Sequence, residues 1–222
     1  MFDHGVMIDY SSNDRSVEII KDLCPTWQIV PSRNIAFHSA SIDQEVMDLE
    51  KNIIGWRVAL NVTEFLVGDT ATLDHCHEDL YVSNITMVCR EDLEETSPDP
   101  EIPLCLQHTH GFDCVEGDLR WWMRRISNHP KPYYLGRHFY YQMGYTPTSD
   151  FKILWYRYAP YNEQMIERSL QIQNRIPESD KQKGFGINHF IDAEENRNVL
   201  KKYQERSEDV LCLYRHLIKL KK

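Results

Sequence analysis

The chain has 222 residues, 41% of them hydrophobic and 11% aromatic, which is enough to enclose a core and too apolar for a disordered segment. A mean hydropathy of -0.55, with no apolar run approaching about 20 residues, excludes an integral protein of membrane-spanning helices. The formal charge of -9 argues against generic or sequence-specific nucleic-acid binding, which draws on a surplus of Lys and Arg.

No basic leader followed by an apolar core opens the chain, so no secretory signal is expected, and Asn61-Val62-Thr63 and Asn84-Ile85-Thr86 are not expected to be glycosylated. An N-terminal segment ends in WQIVP (Trp27 to Pro31). Ser41-Ile42-Asp43-Gln44 reads as a capping box that starts a helix reaching about Ile54. Val58, Leu60 and Val62 alternate with polar neighbours, predicting one strand over Trp56 to Val67. Leu80 to Cys89 predicts a second strand, followed by the acidic loop REDLEETSPDPE. Gly117 to Ile126 reads as a helix with Leu119, Trp122, Met123 and Ile126 on one face and Arg120, Arg124 and Arg125 toward solvent or a partner.

Tyr133 to Tyr145 and Phe151 to Tyr158 read as a pair of strands around a turn, and Asn162 caps a helix to Ile176. From Asp192 to Leu220, apolar residues recur at helical spacing, predicting one long amphipathic helix. The expected fold is therefore α+β. A single domain over 1–222 is expected to hold a mixed or antiparallel sheet, with a Cys/His-rich part within 25–130 and aromatic strands and helices over 131–222.

Chemistry concentrates in Cys89, Cys105, His108, His110 and Cys114, the last four spaced Cys-x2-His-x-His-x3-Cys. Thiolates and imidazoles this close suit a tetrahedral ion, so a structural Zn²⁺ site is expected. Its ligands would be Cys105, His108 or His110, and Cys114, completed by Cys89 or Cys76. His75-Cys76-His77 is a rival source of ligands. The alternative is a set of ordinary loop histidines and small buried cysteines. A catalytic zinc would want a nearby base such as Glu116, but no His-x-Glu or His-Glu-x-x-His pattern is present. A metal-dependent hydrolase or nickase using His108, His110 and Glu116 or Tyr203 is the enzymatic alternative, and a metal-free interaction module the third. No phosphate-binding glycine loop occurs, and the sequence predicts no enzyme. Trp121 beside Arg124 and Arg125 forms the candidate partner-binding anchor.

Four stretches in this order resemble the adenovirus early-region-four 34-kilodalton protein family. They are WQIVP with the acidic helix after it, the Cys105 to Cys114 run, Cys114-Val115-Glu116-Gly117 leading into Leu119, Trp122 and Arg124, and Gly136-Arg137-His138 before aromatic residues and the C-terminal helix. The resemblance implies a non-enzymatic viral early protein of the host nucleus, also found in the cytoplasm. Its implied partners are host cullin and elongin components of a ubiquitin ligase and a second viral early protein. Its implied effect is loss of cellular defence and DNA-damage proteins and export of viral late messenger RNA. Ser169-Leu170 matches the start of an elongin-binding box, but Asn174 stands where such a box has Cys, so no residue is assigned to elongin.

Overall fold

The computed structural model of this chain describes residues 4–113, 122–140, 143–186, 189–190 and 192–218. In chain order the elements are β1 (Val6–Asp9), α1 (Ser16–Leu23), β2 (Gln28–Pro31), α2 (Ser39–Glu50), β3 (Arg57–Val58), β4 (Glu64–Gly68), β5 (Leu80–Val88) and α3 (Leu104–Gln107). They continue with β6 (His110–Asp113), β7 (Trp122–Ser127), β8 (Phe139–Tyr140), β9 (Phe151–Tyr158), α4 (Glu163–Arg175), α5 (Glu178–Lys181), α6 (Ala193–Arg206), β10 (Glu208–Asp209) and α7 (Val210–Leu213).

The organising strand is β5, as its apolar run requires. Val82 to Val88 are all buried, so both faces of the strand are covered. Its first half pairs antiparallel with β7, its second half antiparallel with β6, and β9 runs parallel beside it. Further pairings bring in β3 and β8 on β7, β4 on β9 and β10 on β6, giving an eight-stranded, mostly antiparallel sheet. Ile85, Met87, Phe112, Leu154, Tyr158, Leu200 and Val210 form one side of the core; Leu73, Val82, Ile126, Phe151 and Ile153 form the other. The fold is a single α+β domain, and β1 with β2 forms a separate two-stranded parallel sheet.

Several local expectations change. Over the described part of the expected helix 117–126, Trp122 to Ser127 are a strand with every residue buried. A strand covered on both faces loses its two-residue alternation, and its apolar residues then mimic a helical face. The expected strand 56–67 breaks into β3 and β4, because the Asn61 backbone N–H and side-chain amide both donate to Glu64 (2.9 Å each) and turn the chain. Among the described residues, the segments 133–145 and 151–158 do not pair with each other: β8 joins β7, and β9 lies between β4 and β5. The long C-terminal helix stops at Arg206, before β10 and α7. Leu200 and Val210 nevertheless lie in one core cluster, on either side of that break.

Candidate partner surface and the charge brace behind it

The helix α2 starts earlier than its capping box suggests. His38 is the N-cap and its Nδ1 accepts the Ser41 N–H at 3.4 Å, while buried Asp180 accepts the Ser39 N–H at 3.0 Å. His38 Nε2 also lies 3.3 Å from Asp180 Oδ1, and its Nδ1 lies 3.2 Å from Ser41 Oγ. This Asp–His–Ser line is accounted for by first-turn N–H groups that need acceptors.

Along its length α2 faces a chain of buried charges. Arg124 on β7 and Glu64 on β4 form a two-pronged pair at 2.9 and 2.7 Å, with side chains only 1% and 0% exposed. The third arm of Arg124 donates to the Gly136 carbonyl at 2.6 Å. The Gly136 N–H and the Arg137 guanidinium both donate to Asp43 on α2, each at 2.6 Å, and Arg137 reaches the Asn61 side chain at 2.7 Å. Gly136 sits at φ 74°, in the region that favours glycine, and a Cβ there would lie 2.8 Å from the His138 ring. Arg137 itself is held at φ 60°.

Next door, Tyr133 donates to Glu50 at 2.6 Å, and Arg125 lies over the Tyr133 and Phe139 rings while donating to the Pro132 and Lys131 carbonyls. Lys131 and Ser127 bind Asp79 at 2.7 and 2.6 Å. Burial raises the Asp43 and Glu50 carboxyls above the usual range, with Arg137 and the Tyr133 hydroxyl respectively pulling back. Burial also keeps His138, packed on Trp122, well below its ordinary value, and Arg124 and Arg137 add to that effect.

These contacts correct one expectation. Arg124 and Arg125 do not face solvent or a partner; they are internal, and each is held by the protein's own acceptors. Trp121 lies outside the described residues. Sequence reasoning missed Glu64 as the counter-charge of Arg124 and Asp79 as that of Arg125, and it missed the pairing of Arg137 with Asp43. The signal was there: an acid inside the apolar run VTEFLV and two arginines inside WWMRRIS must find each other if both runs are buried strands.

The Cys/His stretch is more regular than the expected loop, with Cys105 on α3 and His110 on β6. Cys89 and Cys105 belong to the same core cluster, and burial pushes both thiols up. His108 is 3% exposed, burial lowers its basicity, and its Nδ1 has no hydrogen-bond partner among the described residues. His110 Nδ1 contacts the Thr109 hydroxyl at 3.0 Å, and Cys76 donates to the Thr72 carbonyl. Among the described residues, no three His, Cys, Asp or Glu side chains come together as a metal group. Cys114 and Glu116 lie outside those residues. Tyr203, considered above as a nucleophile, packs its ring against Phe112 and Tyr158.

The N-terminal unit of β1, α1 and β2 is the opposite of the brace. From His4 to Pro31 no residue is buried. Val17, Ile20 and Cys24 are half-covered on α1, while Ile19 and Leu23 are exposed, Leu23 at 76%. The Trp27 ring lies against the backbone at Gly5, where a Cβ would come within 2.4 Å of it. One corner ties the unit down: Arg175 of α4 stacks on the Tyr10 ring and donates to the Tyr10 carbonyl, and the Tyr10 hydroxyl donates to the Ala36 carbonyl. Exposed Ile35 and Ile54 extend the apolar surface count beyond this unit. No described helix is long and apolar enough to cross a membrane. No protein-family model matches the chain, and no curated protein matches it.

Proposed function

We propose that this chain is an interaction adaptor of the kind the family resemblance implies, a viral early protein that recruits a host cullin-type ubiquitin ligase in the nucleus. The observation that carries the reading is the N-terminal unit, in which helix and strands hold Ile19, Leu23 and Trp27 at the surface with no buried residue of their own. Apolar side chains held out by regular structure favour a protein partner that covers them. The motif residues behind the resemblance add weight. Trp122, Arg124, Gly136, Arg137 and His138 converge on one brace, which suits a rigid scaffold.

A structural zinc ion belongs to the same proposal. Its candidate donors are the Cys89 and Cys105 thiols, His108 or His110, and Cys114. The buried, unpartnered Nδ1 of His108 supports it, because a buried nitrogen without a partner costs free energy that coordination would remove. When bound, the ion would cross-link the segment and add folding free energy.

The test is affinity capture of the full chain from transfected nuclei, with blotting for cullin and elongins. Co-capture is expected in the wild type and diminished for Leu23→Asp. Capture of neither component by the wild type refutes the adaptor reading. Elemental analysis of the purified chain is expected to show about one zinc per chain; protein that carries none and whose melting is indifferent to chelator refutes the metal.

A further inference from the structure

The backbone of β1 says what kind of segment docks there. Gln28 N–H donates to the Gly5 carbonyl at 2.9 Å and Ser32 N–H to the Asp9 carbonyl at 2.8 Å. In a parallel pair, residues that bond to the neighbour alternate with residues that face away. Gly5, Met7 and Asp9 therefore turn their amide groups toward β2, and Val6 and Ile8 turn theirs outward. Among the described residues, no strand pairs with that outward edge.

The two edges of this sheet are not equivalent. On β2 the outward positions include Pro31, which has no N–H to offer, so that edge is blocked. Over Val6–Asp9 the outward edge carries no proline, lysine or bulge, the usual devices that protect an edge strand. A parallel pair of four-residue strands is also marginal by itself, and parallel strands ordinarily have both neighbours and covers.

We infer that β1 accepts an extended segment of a partner protein by strand addition, and that this segment is apolar at alternate positions with Lys or Arg between them. Backbone hydrogen bonding to Val6 and Ile8 dictates the extended conformation. Register puts Val6 and Ile8 on one face with Gln28 and Val30, and Met7 with Ile29 on the other, so the alternate apolar residues of an added strand lie beside apolar β1 side chains on one face while its basic residues share the other. Charge selects the rest. Residues 4–31 hold Asp9, Asp14, Glu18 and Asp22 against Arg15 and Lys21, and Arg15 is already paired with Glu18 at 3.2 Å. A second copy of this chain, itself at -9, meets like charge on approach, whereas a basic segment is drawn in. The inference rests on the adaptor reading and names the partner chemistry at its docking unit.

The experiment uses the full chain and a labelled twelve-residue peptide of alternating Val and Lys, read by fluorescence anisotropy. Its controls are the same peptide N-methylated at alternate residues and a Val/Glu peptide. The Ile8→Pro variant removes an outward N–H without deleting a β1–β2 bond. The Val/Lys peptide is expected to bind and to protect the Val6 and Ile8 amides from hydrogen exchange. N-methylation and Ile8→Pro are each expected to weaken binding by about tenfold or more, and the Val/Glu peptide to bind far more weakly. Equal binding of the N-methylated peptide, or protection elsewhere than β1, overturns strand addition. A dimer in light scattering that Ile8→Pro dissociates overturns the basic partner segment, since the edge is then filled by a second copy. Cullin and elongin capture without peptide binding overturns this inference and leaves the adaptor reading standing. Peptide binding with no such capture does the reverse.

Discussion

The brace under β7 and the unit of β1, α1 and β2 treat the same residue types in opposite ways. In the brace, arginines and carboxylates are enclosed and each of the three guanidinium nitrogens of Arg124 has an acceptor. In the N-terminal unit, leucine and isoleucine are left in water and, among the described residues, no strand pairs with one edge of β1. Buried charge without its partner is among the most costly arrangements a protein can hold, whereas exposed apolar surface costs little until something binds it. The brace should therefore govern stability and the N-terminal unit should govern association, with little exchange between the two roles.

Substitutions in the brace test the first half most severely. Arg124→Ala strands the Glu64 carboxylate in the core and is expected to cost about 3–5 kcal/mol, lowering Tm by roughly 10 °C in a thermal melt. A fall of only a degree or two would mean that the pair contributes little. Gly136→Ala is expected to cost about 1–3 kcal/mol in urea unfolding, since it forces a Cβ both into φ 74° and toward the His138 ring. It should disturb the link to Asp43 on α2 more than the distant α6, which exchange rates of individual amides would show.

Proton linkage gives a smaller effect. His108, His138 and His189 are all held below the ordinary histidine value by burial, with His189 lowered to about 4. The unfolded chain takes up protons on these groups first. Stability is then full above about pH 6.5 and declines as pH falls toward the folded values, by at most about 1.4 kcal/mol per pH unit for each histidine. The raised carboxyls of Asp43 and Glu50 act in the other direction: their contribution is full at acid pH and declines as pH rises above about 4 through their folded values. In a variant carrying Asp43→Asn and Glu50→Gln, which removes the opposing contribution, Tm should fall from pH 7.5 to 5, and a flat profile there would contradict neutral, buried histidines. The smallest effect on stability is expected in the N-terminal unit. Leu23→Ser should change unfolding free energy by no more than about 0.5 kcal/mol while reducing partner capture. Loss of both together would show that α1 is part of the structural core.

How much was legible in advance can be read from individual elements. β5 was legible because an apolar run bounded by turn residues has one economical solution, and the Asn162 cap was legible because its side chain accepts the Met165 N–H within one turn of chain. The strand nature of β7 was not. A doubly covered strand keeps no alternation, and what covers it comes from Glu64, sixty residues away in sequence, and from Gly136. The density of Cys and His in this stretch was legible, but the packing of Cys105 against the core and the burial of His108 depend on how β5 and α3 meet.

By itself the amino-acid sequence determined that an α+β core forms, which runs are apolar enough to build it, and that Gly136-Arg137-His138 and the Trp122/Arg124 stretch are unusual. Those are local facts, fixed by side-chain chemistry and spacing. Only the tertiary structure decided that these two motifs meet, that the arginines turn inward rather than toward a partner, and that no described strand covers the outer edge of β1. Pairing between distant segments is chosen by the whole set of buried surfaces and counter-charges at once, and no window of neighbouring residues contains that information.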